Sequence, residues 1–244
     1  MRAILVAVDY ADLLAITIPY NRHHFDEVMV VTSLDKLDDE TRDVAAANDC
    51  RVCSTDLFFG GGNAFNKFAA LERGLDKFGR HGMLCVMDAD ILFPKHLPDA
   101  AWDSSVLYTP KRRMFVDITQ PIPQEPYWAG YPYPLPNEEF AGYTQIFDAD
   151  AASQWLPKLW YGMTNPTAGG PDSAFQARWP DNKKLRPGFE VLHLGPACTN
   201  WCGRVSKYTD GSVHPEAESR TKALARARPD IEKWKKVFNQ PEAG

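Results

Sequence analysis

Residues 83–94 read MLCVMDADILFP: an apolar run, two aspartates one residue apart, and a second apolar run. Met83 to Met87 has the length and content of a strand buried on both faces. Asp88 and Asp90 then stand at its mouth, spaced to point the same way and share one divalent cation. Hard carboxylate oxygens favour Mg²⁺ or Mn²⁺. The bland alternative is that the pair merely ends the strand or caps a turn. Apolar flanks weigh against it, because two adjacent carboxylates next to buried surface are costly unless a cation neutralises them.

Upstream, the chain alternates strand and helix. RAILVAV (2–8) reads as a buried strand ending at Asp9, followed by a helix over 11–20 that Pro19 should stop. DEVMVVTS (26–33) is a second strand, DDETRDVAAAN (38–48) a helix with an acidic start, and RVCS (51–54) a third strand. After FFGGG (58–62), Phe65, Phe68, Ala69, Leu71, Leu75 and Phe78 recur at helical spacing within 63–78. Such alternation with short connections predicts a parallel α/β sheet, in which ligands sit beyond the carboxyl ends of the strands. Asp9, Thr32, Ser33 and the 88–90 pair all fall at such ends.

Downstream the pattern loosens. SVLYT (105–109), GYTQIF (142–147) and FEVLHLG (189–195) read as strands, and 172–179 as a short helix. QPIPQEPYWAGYPYPLPN (120–137) cannot be helix or central strand, because proline fixes φ and removes donors. Residues 206–244 read as a basic, mostly helical extension interrupted near Pro229. From Gly203 to Gly244 there are nine Lys and Arg against six Asp and Glu, an excess of three.

The whole chain, 244 residues with 44% apolar and 24% charged content, suits one soluble domain rather than a disordered, collagen-like or coiled-coil protein. A net charge of −5 excludes non-specific coating of nucleic acid, which needs surplus cations. No stretch approaches the roughly 18 apolar residues of a membrane span, and Asp9 cuts short the first apolar run, so a cytoplasmic location is expected. Five cysteines (Cys50, Cys53, Cys85, Cys198, Cys202) cannot all pair within one chain, and thiols are expected there. A Cys₄ zinc site is disfavoured by irregular spacing and by Cys50 and Cys53 falling on opposite strand faces.

The order of strand, GGGNAFNKFAALERGL helix, hydrophobic strand and Asp-Ala-Asp resembles the GT-A class of nucleotide-sugar-dependent glycosyltransferases over residues 2–205. The resemblance is most specific in NKFAALERGL followed by CVMDADILFP. It implies an α/β, GT-A-like (Rossmann-like) fold: a mixed, mainly parallel sheet flanked by helices, with the C-terminal helical extension appended. One domain over 1–244 would comprise a nucleotide-sugar half (1–94), an acceptor-side half (95–205) and the basic tail (206–244). In the class the aspartate motif holds Mn²⁺ or Mg²⁺ against the donor's diphosphate. Carried over, Asp90 is the direct metal ligand, and Asp88 touches the ribose and, through water, the metal. His193, at the end of the late strand EVLHLGP (190–196), stands where many GT-A enzymes complete the metal site; the plain alternative is a core histidine. TAGGPDSAFQARW (167–179) is similar to the acidic segment of inverting members, so Asp172 is the candidate base, although Pro171 stands where many relatives carry an acid.

Around this frame, Asp9, Thr32, Ser33 and Asn66 are candidates for the nucleotide pocket. Arg204 and Lys207 are candidate cations for the diphosphate leaving group, and Lys67 for the diphosphate or the donor sugar. The expected function is metal-dependent transfer of a sugar from a nucleotide sugar, a UDP-sugar in particular, to an acceptor hydroxyl with inversion. The acceptor would be a glycan, lipid-linked or protein hydroxyl. The alternative is a flipped-out hydroxymethylated base in viral DNA, favoured by the basic clusters 111–113 and 183–186 and by Tyr127, Trp128, Tyr131 and Tyr133 as stacking faces. One rival remains, a non-catalytic nucleotide-binding module; another, a sugar nucleotidyltransferase, falls. The latter would carry a glycine-rich, arginine-containing loop where this chain has VDYADLL.

Overall fold

The computed structural model describes residues 1–34, 38–98, 102–115, 128, 142–163 and 171–194. The parallel core forms as the alternation predicts. Strands β1 (Arg2–Val6), β2 (Glu27–Ser33), β3 (Arg51–Thr55) and β4 (Met83–Asp88) lie in the order β3-β2-β1-β4, all parallel. A two-residue strand, β5 (Ile91–Leu92), follows the aspartate pair. Beyond it, β6 (Leu107–Tyr108), β7 (Lys111–Phe115), β8 (Thr144–Asp148), β9 (Lys184–Leu185) and β10 (Glu190–Leu194) complete the described strands. β8 joins β4 antiparallel and extends the main sheet through β6 to β9. A second, three-stranded sheet has the order β5-β10-β7.

Successive side chains of a strand face opposite ways, so each central strand feeds two cores. Ala3 and Leu5 of β1 join Val28 and Val30 of β2 and Cys85 and Met87 of β4 on one face. Helix α1 (Ala11–Asn21) covers that face with Leu13, Leu14, Ile16 and Ile18, and α2 (Asp39–Ala47) adds Ala45. Ile4, Met29, Val31, Leu84 and Val86 face the other way, onto Phe68, Leu71, Leu75 and Phe78 of α3 (Lys67–Phe78). Helices α4 (Ala149–Ser153) and α5 (Pro171–Gln176) belong to this second layer through Ala149, Ala152 and Phe175. α3 sits close on the sheet at Gly74, where a Cβ would come 2.4 Å from Val31 Cγ2.

Several boundaries differ from the sequence expectation. α1 runs through Pro19 to Asn21, since a proline in the last turn forfeits one hydrogen bond without ending the helix. The helix expected over 63–78 starts only at Lys67, because Asn66 caps it: its side-chain oxygen accepts from Ala69 N at 3.0 Å. Lys111-Arg112-Arg113, read from the sequence as a basic cluster favouring a nucleic-acid acceptor, begins β7. Its charges are partly spent inside the molecule, with Arg113 gripping Glu190 at 2.7 and 3.1 Å and Arg112 lying over the Tyr143 ring. Cys50 and Cys53 do fall in opposite cores, and both are buried free thiols, as is Cys85. No helix among the described residues is long and apolar enough to cross a membrane. The extension expected over 206–244, Arg204, Lys207, Cys198 and Cys202 all lie outside the described residues.

Candidate active site

In a strand–helix–strand crossover the helix starts at the carboxyl edge of the sheet, where the preceding strand ends. α3 therefore places its first residue, Lys67, beside the end of β4. Lys67 Nζ lies 2.6 Å from Asp88 Oδ1 and 3.8 Å from Asp172 Oδ2. Its side chain is only 13% exposed. Burial alone would lower the ammonium's pKa, but Asp172, Asp88 and Asp90 together raise it above the ordinary lysine range, so it stays charged.

The small sheet explains how a histidine 103 positions further on reaches the aspartates. β10 pairs antiparallel with β5, setting His193 opposite Ile91, and Leu194 N donates to the Asp90 carbonyl at 2.9 Å. His193 Nε2 then stands 3.4 Å from Asp90 Oδ2, with the two side chains 7% and 2% exposed. Burial lowers the His193 pKa, against the opposing pull of Asp90, so the imidazole is neutral at pH 7. A neutral imidazole is the form that binds metal.

The turn between β4 and β5 is held from α1. Thr17 Oγ1 donates to Ala89 O at 2.8 Å, Asn21 Nδ2 donates to Ile91 O at 2.7 Å, and Phe93 N donates to Asn21 Oδ1 at 2.8 Å. The sequence reading did not single out Thr17 or Asn21. Two polar residues among the apolar positions of an otherwise buried helix were the available signal, because buried polar groups need partners.

Asp172 reaches the same corner in the first turn of α5, where the helix dipole favours a carboxylate. Burial, opposed by Lys67 and reinforced by Asp88, pushes its pKa up to about 7. Its backbone carbonyl accepts from Gln145 Nε2 at 3.3 Å, and Gln145 Oε1 accepts from the Tyr161 hydroxyl at 2.6 Å. Glu72 of α3 accepts from the Tyr161 and Gly162 amides, and Asn66 Nδ2 donates to Met163 O at 2.8 Å. Gly142 forms the floor: a Cβ there would lie 1.9 Å from Asp172 Cβ and 2.4 Å from its Oδ2. Gly142→Ala should therefore push the carboxylate off Lys67 and cut turnover by about 100-fold, the usual cost of a 1 Å misplacement. Nucleotide affinity should hold within about threefold, which calorimetry with UDP can check alongside the rate.

The remaining sequence candidates divide. Ser33 and Thr32 end β2 but are 4% and 0% exposed. Ser33 N and Asp9 N instead donate to Asp38, at 3.0 and 2.6 Å, and Thr41 Oγ1 donates to it at 3.2 Å. Asp38, missed by the sequence reading, is a fully buried carboxylate that locks the ends of β1 and β2 together. Burial raises its pKa despite these bonds. Asp9 holds a left-handed backbone with φ 59°, uncommon outside glycine, just past the carboxyl end of β1. The Asn66 side chain is committed to its cap and to Met163. Trp128 is 4% exposed within a core cluster, so it packs on the body instead of offering a stacking face; Tyr127, Tyr131 and Tyr133 lie outside the described residues.

The donor set suits a hard divalent ion in chemistry, though it is not closed around one. Asp90 with neutral His193 supplies an oxygen and a nitrogen 3.4 Å apart, too long for a good hydrogen bond. His193 Nδ1 and Asp172 Oδ1 are buried with no hydrogen-bond partner among the described residues. Asp88, the third donor, is engaged by Lys67, and no group of three or more His, Cys, Asp or Glu among the described residues is already gathered for a metal.

No protein-family model and no curated protein matches the chain. Solved structures do. Residues 1–349 of S. aureus TarS in complex with UDP align with TM-score 0.50 and 12% identity, covering 81% of this chain and 61% of that one. Glucosyl-3-phosphoglycerate synthase from Mycobacterium tuberculosis, in complex with Mn²⁺, UDP-glucose and phosphoglyceric acid, aligns with TM-score 0.47 and 15% identity over 100% of this chain and 81% of that one. Galactosyltransferase LgtC with donor and acceptor sugar analogues gives 0.43 and 14%, over 94% and 100%. With the sheet order described above, the TarS likeness establishes the GT-A-like mixed α/β fold that the order of motifs implied.

Proposed function

We propose that this chain transfers a glycosyl group from a nucleotide sugar, a UDP-sugar in particular, to an acceptor hydroxyl with the help of Mn²⁺ or Mg²⁺. The observation that carries the proposal is convergence: Lys67, Asp88, Asp90, Asp172 and His193, drawn from five separate elements or turns, meet at the carboxyl edge of the sheet. TarS, bound to UDP, shares the general fold.

Asp90, His193 and Asp88 would hold the metal. When bound, it would neutralise charge on the diphosphate leaving group. Lys67 supplies a second cation for the diphosphate or the donor sugar, with Arg204 in the same role. Asp172 takes the acceptor's proton: its pKa near 7 suits a base at neutral pH, and direct displacement from that side inverts the anomeric carbon. The nucleoside would lie along the strand ends near Asp9 and Ser33.

A glycan-type hydroxyl is the favoured acceptor over a hydroxymethylated DNA base. Two described cations of the basic clusters are paired with acids, Arg113 with Glu190 and Lys184 with Asp181, and Arg186 is turned inward onto the carbonyls of Thr109 and Pro110. A panel of UDP-sugars read by thermal shift, with and without Mn²⁺, tests the proposal. One donor should stabilise the fold only with the metal, by about 2.7 kcal/mol at 100 times its Kd. It should also slowly release free sugar, which a mere binding module would not do. No metal-dependent shift with any donor refutes the proposal.

A further inference from the structure

Lys67 occupies the position of a built-in cation. Its ammonium bridges Asp88 and Asp172 and feels Asp90, and its backbone cannot swing away. It is the first residue of a helix capped by the buried Asn66 and pinned by the fully buried Phe68. A divalent ion arriving at Asp88, Asp90 and His193 meets that positive charge at close range, in a corner where water screens poorly, and competes with it for Asp88. A diphosphate arriving at the same corner brings negative charge that both cations can share.

We propose that Lys67 makes metal binding conditional on the nucleotide diphosphate, keeping the ion weakly held until the donor is present. The inference rests on the metal and donor reading given above and adds a coupling between them. Linkage makes the effect reciprocal: the factor by which UDP tightens the metal is the factor by which the metal tightens UDP. Lys67 thereby acts as a positioning residue for the ion as well as a cation for the phosphates.

Mn²⁺ affinity measured by electron paramagnetic resonance of the free ion, with and without saturating UDP, decides the matter. Wild-type protein should bind Mn²⁺ at least tenfold more tightly with UDP. Lys67→Met should bind Mn²⁺ alone about tenfold more tightly than wild type, with the effect of UDP reduced to threefold or less. Lys67→Gln, which keeps a donor for Asp88 without the charge, should follow the same order, and Lys67→Arg should resemble wild type. A gain in ion affinity is a readout that structural damage cannot imitate. If UDP tightens Mn²⁺ in wild type but Lys67→Met and Lys67→Gln bind the ion alone no better than wild type, the inference is wrong while the metal reading stands. If wild-type protein binds no Mn²⁺ with or without UDP, the metal reading itself fails and takes the inference with it.

Discussion

Asp90→Ala should abolish Mn²⁺-dependent UDP binding, weakening it by more than about 100-fold, and should leave no measurable transfer. The carboxylate is 2% exposed and faces a neutral histidine, so nothing else in the turn can replace its oxygen. Asp88 cannot make up the loss, since it is already counted among the ligands, and in the ligand-free protein Lys67 engages it at 2.6 Å. Loss of the fold would not explain the result: the turn is tied to β10 through the Asp90 backbone carbonyl, which alanine keeps, and to α1 through Ala89 and Ile91. Calorimetry with UDP and Mn²⁺ on the folded variant is the check. Unchanged UDP affinity would remove Asp90 from the metal site.

Asp172→Asn should separate binding from chemistry. UDP with Mn²⁺ should bind within about threefold of wild type, while turnover falls by roughly 10³-fold, the middle of the range for loss of a general base. The same substitution should stabilise the ligand-free protein in a pH-dependent way. A carboxyl whose folded pKa is raised keeps its proton where the unfolded chain has released it, so its contribution to stability declines as pH rises. The decline runs from the ordinary aspartate value near 4 up to about 7, and levels off above. The melting-temperature advantage of Asp172→Asn should therefore grow between pH 4 and pH 7 and stay flat beyond. A constant difference across that range would show that Asp172 is not buried in the way described. Normal turnover would place the base elsewhere.

The parallel half of the fold was legible because its strands are continuous apolar runs, α2 opens on acidic residues and α3 carries the 3.6-residue repeat; all are local signals. β7 was not, since KRRMF looks like a charged surface run until Glu190 is seen to neutralise Arg113 across the small sheet. The antiparallel pairing of β4 with β8, and of β5 with β10, depends on contacts between residues about 60 to 100 positions apart, for which no local pattern stands. Within the site, Asp88 and Asp90 announced themselves by spacing. The partnership of Lys67 with Asp172 did not, because it joins the starts of two helices that only the folded sheet brings together. Asp38, Thr17, Asn21 and Gln145 were hidden for a related reason. Each is an ordinary polar residue in sequence, and only burial makes its hydrogen bonds matter. Thr32 and Ser33 show the converse, since a strand-end position predicts proximity to a ligand but not exposure to it.

Anomalous diffraction at the manganese edge, from crystals grown with Mn²⁺ and UDP, addresses the metal most directly. A single strong peak should appear between Asp90 Oδ2, His193 Nε2 and the diphosphate, with Lys67 withdrawn from Asp88 toward the phosphates. Bound UDP with no peak at that corner, and Lys67 still on Asp88, would contradict the account.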